Sequence, residues 1–293
     1  VSPDLVATLA DNPDQLKLGG ERRELSILFT DVRGFTGISE SFKDDPTGLT
    51  TLMNRFLTIM SDAIMDKRGT IDKFMGDAIM AFWNAPLDEK DHARLSCSAA
   101  LRMMQDIADL NTLRAHETDG SAIPIDIGIG INTGDAVVGN MGSDKRFDYS
   151  ALGDPVNLAS RLEGQTKSYG VDIIIGASTR AQVGEDFAVI ELDLIRVKGK
   201  QEPEHIHALI GDGAMNATPD FAALRTANET MIDSYRQQDW QAATRAAQDV
   251  RAAGSALSVD LDFYAALYED RIATFRDTPP PADWDGVFVA TSK

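Results

Sequence analysis

Apolar residues in this chain alternate between two periods, and the changes of period mark its elements. Residues 25–32 form a short apolar run bounded by polar residues and read as a buried strand. Over 46–67 the period lengthens. Leu49, Met53, Phe56, Met60 and Ile64 recur every three or four residues, which predicts a helix ended by Gly69. Two strand-like runs, 70–74 and 78–83, flank Met75-Gly76-Asp77 and predict a hairpin with Asp77 near its tip. Residues 88–113 read as a second long helix. Residues 123–132 and 136–139 read as strands around Thr133-Gly134, and a connection through 142–145 returns to a strand at 147–152. Asp154-Pro155 is a helix start, with an N-capping side chain and proline in the first turn. Strands at 171–175, 187–197 and 204–210 follow. The order is strand, helix, two strands, helix, strand, then a helix and more strands. It predicts an α+β architecture with a mixed sheet and helices on one face.

After residue 210 the character changes. Residues 211–219 read as a linker, and 221–237, 239–253 and 259–275 are helix-like, rich in alanine and without strand signals. Three prolines, Pro279 to Pro281, stop helix formation, and 284–289 is expected as an extended tail that packs back. The helices invite comparison with tetratricopeptide repeats. One such unit makes no solenoid, so a helical appendage covering an apolar face is expected instead. The expected division is therefore a lead-in at 1–24 (one helical turn at 4–10), a main domain at 25–210, and a linker with helical extension at 211–293.

Composition narrows the chemistry. With 43% hydrophobic and 25% charged residues among 293, the chain is ordinary globular material. Its net charge is −18, and neither part is basic, which argues against general nucleic-acid binding. An anionic substrate must then be met by bound cations and a few local Lys or Arg. Cys97 is the single cysteine, so no intrachain disulfide forms; it falls in a helical run and is expected to be small and buried. One thiol suits a reducing compartment. No apolar run approaches the roughly 18 residues needed to cross a bilayer, and no signal peptide is visible. His92, His116, His205 and His207 lack zinc-type spacing and are expected to be structural.

Candidate chemistry sits at a few places. Asp31 and Asp77 each end an apolar run beside a glycine, where a carboxylate can hold a hard cation and backbone can approach phosphate. Two cations about 4 Å apart would activate a hydroxyl and steady a leaving pyrophosphate. Residues 32–36 leave their strand through Gly34 and could cradle phosphates as a nest of N–H groups, although the Walker A pattern is absent. Asn157 and Arg161 stand four apart on one helical face. An amide and a guanidinium projecting together suit a ribose and a charge-rich transition state. Leu158 and Leu162 are expected to face the core. Arg196, Lys198 and Lys200 place bases at a strand end in an otherwise acidic protein, where Lys198 or Lys200 could meet a triphosphate.

Four motifs, in this order, carry a family resemblance. They are Phe29-Thr30-Asp31-Val32-Arg33-Gly34-Phe35-Thr36, Lys73-Phe74-Met75-Gly76-Asp77, Gly153-Asp154-Pro155-Val156-Asn157-Leu158-Ala159-Ser160-Arg161, and Val197-Lys198-Gly199-Lys200. Over about residues 20–210 the chain resembles the class III nucleotidyl cyclases. The resemblance implies a ferredoxin-like βαββαβ core that pairs head to tail as a homodimer, with active sites shared between protomers. It implies two Mg²⁺ or Mn²⁺ ions per site, a metal set of Asp31 and Asp77 with Val32 beside them, and substrate contacts from Val32, Arg33, Gly34, Phe35 and Thr36. Asn157 and Arg161 match the residues that orient ribose and stabilise the transition state, and Lys198 matches the triphosphate lysine. The implied reaction is attack of the ribose 3′-hydroxyl on the α-phosphorus, giving a 3′,5′-cyclic monophosphate and pyrophosphate.

Base choice rests on two positions. Lys73 matches the lysine of adenylyl cyclases, a donor for adenine N1, where guanylyl cyclases usually have Glu. Ser150 matches the second base-reading position; Ser departs from the usual Asp or Thr but carries a hydroxyl as Thr does. ATP is therefore expected over GTP. The alternatives are a guanylyl cyclase on the same scaffold, or a nucleotide-binding sensor or scaffold without turnover. Gly128 departs from family members that place a phosphate-contacting Arg there, which bears on rate more than on reaction class. The flanks, Val1-Ser2-Pro3, 17–23 and 279–287, resemble bacterial membrane-tethered cyclases with an extracytoplasmic CHASE2 sensor. That resemblance implies a cytoplasmic effector part in cyclic-nucleotide signalling, reaching the membrane only through an N-terminal part absent from this sequence.

Overall fold

The computed structural model describes residues 19–143, 145–196, 202–281 and 284–289. The chain packs as two compact units, one ending at Glu163 and the other beginning at Gly164. The helical turn expected at 4–10 and the bases Lys198 and Lys200 lie outside the described residues.

The first unit is built on strand β1 (Gly19–Val32), helix α1 (Phe35–Ser41), helix α2 (Pro46–Met65), strands β2 (Thr70–Met75) and β3 (Ala78–Trp83), helix α3 (His92–Glu117), and strands β4 (Ile127–Ser143) and β5 (Arg146–Leu152). The strand order is β2-β3-β1-β4, with β5 paired to β4. All these pairings are antiparallel. With α2 and α3 as the two connections, this is the expected βαββαβ core. Asp45 caps α2 by accepting from the Gly48 amide, and Pro46 opens its first turn. The helix buries Leu52, Phe56, Met60, Ala63 and Ile64 along the stripe that its period predicts.

Helix α4 (Asp154–Tyr169) starts in this unit. It packs over Gly130 of β4: a Cβ there would lie within 3.0 Å of the Glu163 amide nitrogen, the Glu163 Cα and the Ala159 carbonyl oxygen. Val156 and Ala159 of α4 close a core cluster with Leu25, Ile27, Met80, Phe82 and Val138. The neighbouring residues of β1 face the other way, where Ser26 Oγ bonds His92 Nδ1 of α3 at 2.8 Å.

Two expectations about β1 and β4 need correction. β1 begins six residues before Leu25, because the polar stretch from Gly19 to Glu24 pairs residue for residue with Asp135 to Asn140. Thr133-Gly134 makes no turn, and β4 runs through it without a break. Gly134 instead leaves room for Pro155, whose Cγ would stand 2.9 Å from an added Cβ.

The second unit contains strand β6 (Ile173–Gly176), helix α5 (Ala177–Val183), strands β7 (Phe187–Arg196) and β8 (Glu204–Asp212), and helices α6 (Gly213–Asn216), α7 (Pro219–Arg236), α8 (Trp240–Ala256) and α9 (Asp262–Asp277). Strand β9 (Phe288–Val289) completes it. Its strands run β6-β8-β7-β9, with β9 parallel to β7. The stretch expected as a linker thus holds the end of β8 and the short helix α6, capped by Asp212. Helix α9 is held to β7 by buried polar groups. Tyr268 donates to the Leu192 carbonyl at 2.6 Å, and Arg271 pairs with Asp193 at 2.7 Å. Tyr169 donates to the same Asp193 carboxylate at 2.6 Å.

Candidate active site

The two candidate metal carboxylates come together at one end of the first sheet. Strands β1 and β3 pair up to Thr30 with Ile79, so Asp31 and Asp77 each lie just beyond the last pair. Gly76 has φ 72°, the left-handed conformation that a tight hairpin tip demands and that glycine adopts without a Cβ clash. Asp31 is also paired with Gly128 on β4, so no side chain opposes it there. Two half-buried carboxylates with backbone carbonyls nearby suit Mg²⁺ or Mn²⁺, which bind substrate phosphates with only one or two protein carboxylates per ion. Val32 is buried and its side chain is apolar, so only its carbonyl is chemically suited to a cation. Among the described residues, no group of three or more His, Cys, Asp or Glu forms a closed metal cage.

Beyond Val32 the chain turns through Gly34, at φ 64°, into α1, with Phe35 and Thr36 in its first turn. Arg33 donates to Asp126 at 3.0 Å, so its guanidinium is already engaged by a carboxylate.

The candidate base-reading pair forms a second cluster. Lys73 Nζ lies 3.3 Å from Ser150 Oγ, joining β2 to β5. A residue not singled out from sequence completes it. Asp72, fully buried, accepts from Ser150 Oγ at 2.7 Å and from the Ala151 amide at 3.2 Å through one oxygen. Its other oxygen stands 3.0 Å from Lys73 Nζ, an ion-pair contact. Regular alternation would send residues 72 and 73 to opposite faces. The register between β2 and β3 shifts between Ile71 and Lys73, leaving Asp72 as an extra, bulged residue, and the bulge brings both side chains to Ser150. The only sequence signal was a carboxylate beside the lysine, which strand periodicity would have assigned to the far face.

Asn157 and Arg161 lie on α4. Asn157 is exposed and Arg161 half-buried, while Leu158 and Leu162 are buried, as their spacing predicts. Gly130 and Gly134 fix this helix on the sheet. A cavity of about 670 Å³ between α2 and α3, lined by Arg55, Asp62, Arg102 and Asp109 among others, contains none of these residues.

The histidines sit apart from it. Burial lowers the pKa of His92, although the Glu24 carboxylate opposes this. Burial likewise takes His207 down to about 4. Cys97 is buried, and its thiol is pushed up to about 12. No helix among the described residues is long and apolar enough to cross a membrane.

Comparison with known proteins agrees with this fold. The adenylate and guanylate cyclase catalytic domain matches residues 20–211. Adenylate cyclase 1 of Rhizobium meliloti (strain 1021) is 33% identical over 191 residues, covering 65% of this chain and 28% of the relative. The adenylate cyclase of Anabaena cylindrica is 38% identical over 191 residues, covering 63% of this chain and 36% of the relative. The chain thus spans about a third of the length of these curated relatives. Among solved structures, the guanylyl cyclase Cya2 superposes with TM-score 0.61 at 35% identity, covering 67% of this chain and 96% of that one. The adenylyl cyclase CyaB from P. aeruginosa superposes with TM-score 0.58 at 33% identity, covering 67% and 97%. A βαββαβ sheet with paired aspartates at one end, matched by the family over most of the chain, identifies this protein as a member of the adenylate and guanylate cyclase catalytic domain family.

Proposed function

We propose that this chain is an adenylate cyclase, converting ATP to 3′,5′-cyclic AMP and pyrophosphate at a site completed by a second copy of itself. The observation that carries this reading is the Lys73–Ser150 pair, a donor and a hydroxyl 3.3 Å apart, with Lys73 exposed and Ser150 buried beside it. Lys73 donates to adenine N1, and Ser150 accepts from the 6-amino group. In the same pose guanine would turn a donor toward Lys73 and a carbonyl oxygen toward Ser150.

Asn157 orients the ribose and Arg161 meets the charge that develops on the transferring phosphorus. The 3′-hydroxyl oxygen bonds to the α-phosphorus, the bond to the β-phosphate oxygen breaks, and the hydroxyl proton leaves to solvent or a phosphate oxygen. Asp31 and Asp77, with the Val32 carbonyl, would hold Mg²⁺ or Mn²⁺ ions. When bound, such ions lower the pKa of the attacking hydroxyl and neutralise the leaving pyrophosphate. The backbone from Val32 to Thr36 borders the phosphates, and the resemblance assigns the triphosphate lysine to Lys198. Among the described residues no side chain is placed as a general base, so the protein contributes mostly positioning and charge stabilisation.

Exposed apolar side chains support a homodimer. Phe74, Met75, Val137, Phe147 and Leu152, on the two hairpins that carry Lys73 and Ser150, are each more than a third exposed. Such a patch favours cover by a partner, and a second copy would bring its own Asp31 and Asp77.

The test is product identification. The purified chain is incubated with ATP or GTP and Mn²⁺, and the cyclic product is separated and identified. Cyclic AMP as the dominant product is expected. Dominant cyclic GMP would favour the guanylyl cyclase reading, and no product from either nucleotide in a verified dimer would favour a nucleotide-binding module without turnover.

A further inference from the structure

Ser150 has one hydroxyl proton and two lone pairs. Its oxygen lies 2.7 Å from Asp72 Oδ2 and 3.3 Å from Lys73 Nζ. A carboxylate only accepts and an ammonium only donates, so both roles are forced. The Ser150 proton goes to Asp72, and one lone pair takes a Lys73 proton. What remains for a ligand is a single lone pair: Ser150 can accept one further hydrogen bond and donate none.

The arrangement is held firmly. Asp72 is fully buried and fixed from a second side by the Ala151 amide at 3.2 Å. Its placement costs β2 one ladder position, since it is the bulged residue between Ile71 and Lys73. Bulges recur where a side chain must be re-aimed beside a site. Lys73 remains 43% exposed while its ammonium rests 3.0 Å from Asp72 Oδ1, so the lysine is tethered at the surface and still able to donate outward.

We propose that Asp72 is a specificity-determining positioning residue: by taking the Ser150 proton, it makes the pair read adenine and reject guanine. This rests on the base-reading role given above to Lys73 and Ser150. Adenine offers an amino donor where Ser150 has its lone pair. Guanine offers a carbonyl oxygen there, and the proton that would satisfy it is already committed to Asp72. A hydroxyl alone is indifferent to the two bases because it can turn to donate or accept. The buried carboxylate removes that freedom without touching the nucleotide.

The experiment measures kcat/KM for ATP and for GTP, with Mn²⁺, in the full chain and in Asp72→Ala, Asp72→Asn, Ser150→Ala and the Asp72→Ala/Ser150→Ala double variant. Asp72→Ala frees the hydroxyl to donate, and the ATP:GTP ratio is expected to fall about fivefold to tenfold, the scale of one hydrogen bond. Asp72→Asn can keep an oxygen for Ser150 and the Ala151 amide while its amide nitrogen faces Lys73, and should lower the ratio less than Asp72→Ala does. With Ser150 replaced by Ala, adding Asp72→Ala should leave the ratio nearly unchanged. If Asp72→Ala lowers turnover of both nucleotides in equal proportion, the residue is merely structural and the proposal fails. It fails equally if the loss of ratio persists undiminished without the Ser150 hydroxyl. Should Asp72→Ala not fold, an ATP:GTP ratio in Ser150→Ala equal to that of the unaltered chain overturns the proposal by itself. Cyclic GMP or no product from the unaltered chain would instead overturn the adenylate cyclase reading, and with it this proposal.

Discussion

Gly130 links the sheet to the helix that carries Asn157 and Arg161, and a single methyl group tests that link. An alanine Cβ at 130 would fall within 3.0 Å of three backbone atoms of α4, belonging to Ala159 and Glu163. Backbone cannot rotate aside as a side chain can. The shortest of these separations, to the Glu163 amide nitrogen, is 2.1 Å, so restoring an ordinary separation of about 3.5 Å between non-bonded atoms requires α4 to move off the sheet by more than about 1 Å. Overpacking of this kind costs about 1–3 kcal/mol of stability. The displaced segment lies two residues from both Asn157 and Arg161, and a misplacement of about 1 Å at a positioning residue costs on the order of 100-fold in rate. Gly130→Ala should therefore remain folded with native circular dichroism, lose about 1–3 kcal/mol in urea denaturation, and lose cyclase turnover far out of proportion to that loss. Gly164→Ala, on the same helix with nothing within 4 Å of the added Cβ, is the control and should keep both activity and stability. Near-normal turnover in Gly130→Ala would refute the claim that this contact sets the position of α4.

Other predictions follow from the buried charges. Arg271→Met leaves Asp193, 1% exposed in its side chain, without its cation, and should cost about 3–5 kcal/mol in urea denaturation; a loss below about 1 kcal/mol would mean that the ion pair does not hold α9 to β7. Stability should also decline in mild acid. An unfolded histidine takes up a proton near pH 6.5, whereas folded His207 resists protonation down to about 4. The unfolded state therefore binds more protons between those values, and stability is complete above about 6.5 and lost as pH falls toward 4. His92, also lowered, acts in the same direction. His207→Leu should flatten this acid limb in pH-dependent denaturation; an unchanged slope would show that burial of His207 does not set it.

The sequence was most legible where one period ran uninterrupted. Helix α2 and the β2–β3 hairpin follow directly from their apolar spacing and from Gly76. Elements stabilised by tertiary contact were not legible. Gly19–Glu24 has no apolar pattern and becomes strand only by pairing with β4, helped by the exposed Arg22–Asp135 ion pair at 2.9 Å. Thr133-Gly134 has the composition of a turn, yet its glycine answers to Pro155, a partner 21 residues away in sequence. The short helices α1, α5 and α6 are too brief to show a period. At the candidate site, Asp31, Asp77, Asn157 and Arg161 stood out as chemically suited residues in recognisable motifs, and Lys73 and Ser150 only through the family resemblance. Asp72 did not, because its role depends on a bulge that shifts the register by one, and nothing in local composition announces it.

The central claim is that this chain carries two half-sites, Asp31 with Asp77 and Lys73 with Ser150, Asn157 and Arg161, that complete one another between copies. Complementation tests it most directly. Asp77→Ala and Arg161→Ala chains, each inactive alone, are mixed, heterodimer formation is verified, and cyclic AMP production is measured. One of the two sites in such a heterodimer holds both intact residues, so activity should reappear at up to half the level of the unaltered protein per dimer. Verified heterodimers with no more activity than either parent variant would contradict a site shared between protomers.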